Sequence, residues 1–279
     1  MSTIYRFKVG DFECMIVTDG GASRPANEFF ADIDADELRS AIADSPYDFD
    51  DLYLSNNILL IDTGEQRVLI DTGNGAFTGQ SGELIANLAK ENIQPASIDV
   101  VILTHAHADH FGAMLDEDGS KIFPNAQYFA WRDEWVYYSS DEQQQMEKDR
   151  SEERYEYYQK FFYQLESHLN LRDENNTEIV PGINYLYAPG HTKHHSAVWI
   201  QSGDEKLLYT SDALIHPIQF NNLHWYWAFE FDGEQLQATR RMLIDKVLSE
   251  NAMITMYHAP FPGLGRITRD DEKITWQDA

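Results

Sequence analysis

Residues 100–110 read Val-Val-Ile-Leu-Thr-His-Ala-His-Ala-Asp-His, an apolar tetrad that gives way within one residue to imidazoles and a carboxylate. A strand with one wet face alternates apolar and polar side chains, so this solid apolar run predicts a strand buried on both faces. Such a strand needs a covering layer on either side. Where it ends, rigid backbone meets solvent, and His105, His107, Asp109 and His110 crowd six positions there. Imidazole nitrogen and carboxylate oxygen are good ligands for Zn²⁺. Alternate residues leaving a strand can converge on one ion while the next two turn toward a second. A lone loop histidine is an ordinary surface residue, but three with an aspartate in six positions point to metal.

The 279 residues suffice for a real core in one large domain or two small ones. The single cysteine, Cys14, excludes an intrachain disulfide and a thiolate-rich zinc site, so any metal is expected on histidine and carboxylate. With 21 basic against 47 acidic residues the formal charge is −26, which argues against nucleic acid or anionic membrane as a partner. A small molecule is the expected partner. No apolar run reaches the roughly 18 residues of a membrane span. The opening Met1-Ser-Thr-Ile-Tyr-Arg-Phe-Lys lacks the apolar core of a secretory signal, so a cytoplasmic location is expected.

Strand patterns at Ile4 to Val9 and Phe12 to Thr18 flank Gly10-Asp11, and those at Ile58 to Ile61 and Val68 to Ile70 flank Asp62-Thr-Gly-Glu, predicting two hairpins. Asp34 followed by Glu37 resembles a capping box opening a short surface helix, and Ser81 is the expected N-cap of a second helix carrying Leu84, Ile85 and Leu88. From 132 to 175 the chain is rich in Glu, Gln and aromatics. Tyr158, Phe161, Phe162, Leu165 and Leu169 follow helical spacing, which predicts an amphipathic helical insertion. Further strands are expected at Ile183 to Tyr187, Ala197 to Ile200 and Leu207 to Tyr209. A helix capped by Asp232 and Gln235 and a last strand near Met253 to Met256 follow. Strands and helices alternate without a linker, favouring a single α/β domain over 1–279.

His-x-His-x-Asp-His after an apolar strand resembles the signature of the metallo-β-lactamase superfamily. Its other landmarks have matches in Leu69-Ile-Asp71-Thr-Gly73, Pro189-Gly-His191-Thr, Ser211-Asp212 and His258. The resemblance implies an αβ/βα four-layer sandwich, two mixed β-sheets packed face to face with helices outside. It also implies two divalent metal ions, most simply Zn²⁺: His105, His107 and His191 on one, Asp109, His110 and His258 on the other, and Asp212 bridging. A bridging hydroxide would be the nucleophile, since two cations about 3.5–4 Å apart lower the pKa of shared water. Asp109 is a candidate proton donor to the leaving group, with a metal-bound water as the alternative. Asp71 resembles the family's buried aspartate, whose task is to fix the ligand loop or a histidine tautomer; a plain Asp-Thr-Gly turn is the competing reading. His195 is read as support rather than ligand.

Ser211-Asp-Ala-Leu-Ile-His-Pro-Ile-Gln-Phe220 and His258-Ala-Pro-Phe-Pro-Gly-Leu-Gly-Arg266 look like the branch of methyl parathion hydrolase and related esterases and lactonases. Acyl-homoserine lactonases tend to carry tyrosine three positions after the bridging aspartate, where Ile215 stands here. Flavodiiron relatives put glutamate where His107 stands, so zinc is favoured over redox iron. The implied reaction is hydrolysis of a neutral ester, lactone or phosphotriester. No Gly-x-Ser-x-Gly elbow offers a serine nucleophile instead. A glyoxalase-type thioesterase is the nearest rival and requires a basic pocket, which nothing in the sequence marks. A nuclease of the superfamily would need a basic face, and a non-catalytic relative would lack a ligand position. Trp131, Trp135, Phe220 and Trp225-Tyr226-Trp227 are candidates for a pocket wall, with core or dimer-interface packing as the alternative.

Overall fold

The computed structural model describes residues 2–30, 33–43, 45–75, 82–227, 230–271 and 273–279. The first sheet follows chain order: β1 (Ile4–Val9), β2 (Phe12–Arg24), β3 (Leu52–Asp62), β4 (Arg67–Ile70), β5 (Val100–Leu103), β6 (Gln127–Trp131) and β7 (Leu169–Arg172). Both expected hairpins are present, and the pairings from β4 to β7 are parallel. The second sheet is β8 (Glu178–Val180), β9 (Ile183–Tyr187), β10 (Ser196–Ser202), β11 (Glu205–Tyr209), β12 (Met253–Thr255), β13 (Leu264–Asp270) and β14 (Lys273–Asp278). It is antiparallel except for β11 with β12. The helices are α1 (Ala26–Phe29), α2 (Ala35–Ile42), α3 (Leu84–Lys90), α4 (Ala108–Phe111), α5 (Arg132–Tyr138), α6 (Asp141–Arg150), α7 (Glu152–Tyr157) and α8 (Gly233–Glu250).

Strand periodicity sets the layers. On β10 and β11, Val198, Ile200, Leu207 and Tyr209 join the cluster that includes Leu60, Leu69, Val101 and Phe129 of the first sheet. Their neighbours Ala197 and Leu208 point the other way and pack with Leu236, Leu243 and Val247 of α8. Side chains two apart share a face, so one apolar strand serves both the space between the sheets and the outer helix. The result is the two-sheet sandwich with outer helices that the resemblance implied. Among the described residues no helix is long and apolar enough to cross a membrane.

Several local expectations are revised. Ser81 lies outside the described residues; the N-terminus of α3 is capped from across the fold, Leu84 N–H donating to Asp19 Oδ1 at 2.7 Å. Asp34 caps α2 through Asp36 N–H and Glu37 N–H, but Glu37 turns away to accept from Trp225 Nε1 at 3.1 Å. Leu38 and Ile42 of that helix are buried against Phe30, Leu52 and Trp225 rather than lying on the surface. Leu169 opens a strand instead of closing a helix, because β6 offers it an unpaired edge. Met253–Thr255 is not the last strand. β13 and β14 follow as an edge hairpin that buries only Leu264, Ile267 and Ile274 among the large aliphatic side chains, too sparse a pattern to read from sequence.

Candidate metal centre

The C-terminal ends of the parallel pairs β4 with β5 and β11 with β12 bring four loops together, and the β9–β10 connection adds a fifth. Two of these loops hold left-handed residues that are not glycine, Asp71 (φ 62°) and Ser211 (φ 48°), a conformation that persists only where surrounding contacts enforce it. Thr104 supplies those contacts. Its N–H donates to Asp71 Oδ1 at 2.9 Å, and its hydroxyl lies 2.9 Å from Asp71 Oδ2 and 2.8 Å from Ser211 Oγ. Gly190 (φ 127°) has its backbone packed so closely on Leu236 that a Cβ would come within 2.4 Å of it. No other residue fits before His191.

All seven side chains singled out from the sequence meet. His105, His107, His191 and Asp212 form one group, Asp109, His110 and His258 the other, with the ligand-type atoms of each group within 4.8 Å of one another. His107 Nδ1 is 3.0 Å from His105 Nε2 and 2.9 Å from His191 Nε2. Asp212 stands between the groups: Oδ2 lies 3.3 Å from both His191 Nε2 and His258 Nε2, and Oδ1 lies 3.4 Å from His110 Nε2. His110 and His258 also approach Asp109 Oδ2 at 3.6 and 3.4 Å.

The outward nitrogens decide what faces inward. His191 Nδ1 pairs with Glu230 at 2.5 Å, His110 Nδ1 with Asp71 Oδ2 at 2.9 Å and His258 Nδ1 with the Ser55 carbonyl at 3.0 Å. Each of these partners accepts a hydrogen bond, so each imidazole carries a proton on Nδ1 and turns Nε2 into the site, where a metal would find a lone pair once any second proton is displaced. His110 Nε2, His258 Nε2 and Asp212 Oδ1 are buried without a hydrogen-bond partner. Buried imidazole nitrogens and carboxylates that converge without hydrogen-bond partners call for positive charge between them, protons or metal cations. The donor set, five imidazoles and two carboxylates without thiolate, fits divalent metal.

The field at the site tells the same story. Burial would push the His258 imidazole down, yet Asp212 and Asp109 hold it up at about 9. Burial would raise Asp212, but His258 and His110 hold it well below the usual carboxylate range. His105 and His107 are driven down, by burial first and then by neighbouring imidazoles. Negative charge at the centre therefore attracts protons when nothing else neutralises it, and metal binding is expected to displace them.

Asp71 performs both tasks allowed for it, fastening Thr104 at the head of the ligand loop and orienting His110. His195 donates Nδ1–H to the Ala188 carbonyl at 3.0 Å and accepts from Asp212 N–H at 3.3 Å, so it shapes the loop that carries Asp212. His216 is buried beside Tyr47 and accepts from Ile218 N–H, capping a short helical turn. Of the six aromatic candidates only Trp227 lines the cavity; Trp131, Trp135, Phe220 and Trp225 are core, and Tyr226 is half-buried against the cluster under α8.

Two glutamates that nothing in the sequence singled out complete the site. Glu134 on α5 accepts from Ala106 N–H at 3.1 Å, Thr192 Oγ1 at 2.9 Å and His194 N–H at 3.2 Å, which ties the two histidine-bearing loops together. Burial pushes its carboxyl up to about 7 against the pull of those donors. Glu134→Ala strands three donors and is expected to cost about 2–4 kcal/mol in urea unfolding. An unchanged midpoint would remove the clamp. Glu230 accepts from His191 Nδ1 and lies 3.6 Å from Nη2 of Arg240, itself fully buried and bonded to the carbonyls of Ala213, Leu223 and Trp225. Glu230→Gln keeps an acceptor but loses the charge that strengthens His191 as a ligand. A chelator competition should show metal affinity falling about tenfold, whereas equal affinity would leave Glu230 a structural group.

The metallo-beta-lactamase superfamily profile matches residues 53–258. The chain is 26% identical over 203 residues to the Caenorhabditis elegans beta-lactamase-like protein 2 homolog, a match covering 70% of this chain and 58% of that relative. It is 26% identical over 221 residues to the N-acyl homoserine lactonase of Bacillus thuringiensis, covering 71% of this chain and 79% of the lactonase. Among solved structures, AidC, a dizinc quorum-quenching lactonase, superposes with a TM-score of 0.90 at 26% identity, covering 100% of this chain and 98% of AidC.

Proposed function

This chain belongs to the metallo-beta-lactamase superfamily, and we propose that it is a lactone or ester hydrolase working with two divalent cations, Zn²⁺ by the character of its ligands. The observation that carries this is the set of buried imidazole Nε2 atoms of His110 and His258 that converge on Asp212 at 3.3–3.4 Å without a hydrogen-bond partner. His105, His107 and His191 would hold one cation, Asp109, His110 and His258 the other, with Asp212 facing both. Cations bound there supply water that ionises near neutral pH and a Lewis acid for the ester oxygen.

The chain's own groups do the rest. Asp71, Glu230 and the Ser55 carbonyl hold three imidazoles in the ligand tautomer. Asp109 is the more exposed of the two carboxylates, its side chain 29% accessible against 2% for Asp212, and its backbone carbonyl is held by Tyr257 Oη. Partly freed from its cation, it could take the proton that the attacking water gives up and pass it to the departing alkoxide. Trp227 offers an apolar face for the acyl or alcohol portion. Similarity to lactonases supports a lactone or ester as the scissile group. The −26 balance speaks against a nuclease, and all seven ligand positions being filled speaks against a non-catalytic relative. We take 1–279 as one domain with 132–175 inserted.

A thioesterase is the second reading, favoured by Arg150 and Arg154 on the cavity wall. Metal-loaded protein assayed on an acyl lactone, an aryl ester, a phosphotriester and a glutathione thioester separates the two. Fastest turnover of the lactone or aryl ester is expected. A dominant thioester rate would establish the second reading, and full metal with no turnover of any would end both.

A further inference from the structure

The cavity beside the ligand cluster is about 190 Å³, and besides the metal-facing side chains its lining includes Trp227, Arg150 and Arg154. Two guanidiniums are an unexpected lining in a chain with only 21 basic residues against 47 acidic ones. They are also built in. Arg150 closes α6 and Arg154 sits on α7, and between them Ser151 caps α7 by accepting from Arg154 N–H. Both reach back to one carboxylate, Glu147, which is only 1% exposed: Arg150 Nη1 donates to Oε1 and Arg154 Nε to Oε2, each at 2.9 Å. Gln143 Nε2 steadies the same Oε1 at 3.2 Å.

One carboxylate against two guanidiniums leaves one positive charge uncompensated on the arginine wall of the cavity, apart from Asp109 and Asp212 on the metal-facing wall. Each guanidinium carries five N–H donors in a rigid fork, and Glu147 engages one nitrogen of each. Among the described residues the remaining nitrogens make no hydrogen bond, and the side chains stay 50% and 33% exposed. An ion pair kept only for stability needs one cation; the second, fixed on the same anchor and lining the same cavity, is placed for a ligand. Paired forks match the two oxygens of a carboxylate, or the oxygens of a phosphate, in a way no apolar or amide group does. The cavity also falls below the roughly 300–1,000 Å³ of pockets for drug-sized ligands, so the substrate portion it encloses is compact.

We propose that Arg150 and Arg154, anchored by Glu147, form an oxyanion subsite, and that the substrate is a small ester or lactone carrying a carboxylate or similar oxyanion beside its scissile bond. The scissile bond rests on the hydrolase reading above; the oxyanion rests on the arginine pair alone. It replaces the sequence-based expectation of a wholly uncharged substrate.

The test compares the holoenzyme on 4-nitrophenyl hydrogen succinate and on the same ester with its carboxylate capped as the methyl ester, at 0.15 M salt. Wild type should favour the anionic ester in kcat/KM by about tenfold or more. Arg150→Ala/Arg154→Ala should bring that ratio close to one, and Arg150→Lys/Arg154→Lys should restore part of it. A wild-type ratio near one, or a ratio the double alanine variant leaves intact, overturns the proposal. If wild type hydrolyses neither ester, the hydrolase reading is judged on the four-substrate panel above and the subsite is read by calorimetry instead. Succinate should then bind about tenfold more weakly to the double alanine variant, and equal binding overturns the proposal. Inorganic phosphate binding more tightly than succinate, with the same loss on mutation, supports the subsite and assigns it to phosphate-bearing substrates.

Discussion

Asp212→Ala is expected to lower kcat/KM on every substrate by at least about a thousandfold, the scale of losing a central electrostatic element of a site. Its two oxygens face three imidazole nitrogens at 3.3–3.4 Å, from His191 and His258 on one side and His110 on the other, so no single rotamer of a neighbour can replace it. Without it two cations of like charge would share a pocket with one carboxylate, Asp109, and metal content should drop together with turnover. His107→Ala should be comparably severe in turnover, since His107 Nδ1 is the atom around which His105 and His191 gather. Both positions are pointed at the cavity rather than at the core, so circular dichroism should report a folded chain. Steady-state kinetics beside metal analysis checks both variants, and turnover near wild type in either would undo the assigned roles.

Asp71→Ala should produce the largest loss of stability of any single change at the site, about 3–5 kcal/mol in equilibrium unfolding, because several buried donors lose their acceptor at once. Thr104 N–H and hydroxyl, His110 Nδ1 and Tyr209 Oη all lie within 3.3 Å of this one carboxylate. Asp71→Asn separates the two jobs. An amide can still accept from Thr104, but its NH₂ toward His110 would invert the imidazole, putting a proton on Nε2 where a lone pair is needed. Stability should fall less than in the alanine variant while metal affinity falls about 10- to 100-fold. Equal stability losses with unchanged metal affinity would reduce Asp71 to a turn residue.

Local signals carried far in this chain. Val100–Leu103 and the four ligand-type residues after it are adjacent in sequence, so their chemistry can be read without knowing the fold. His191, Asp212 and His258 stand on separate loops, and only their order relative to that segment, through the family resemblance, gathered them. The glutamates that complete the site had no such signal. Glu230 meets His191 across 39 residues and Glu134 meets Ala106 across 28, and one acidic residue among 47 has no local mark of such a contact. Arg150 and Arg154 were masked by the charge sum, which describes the surface as a whole and not the lining of one cavity. The aromatic residues misled for the opposite reason. Trp131 and Trp135 lie near the metal loops in space, but β6 and α5 turn them into the core.

Metal stoichiometry is the most direct test. Protein loaded with zinc, freed of excess by dialysis and measured by plasma mass spectrometry should retain two ions per folded chain. A folded preparation that retains none would contradict the assignment of the seven side chains as ligands.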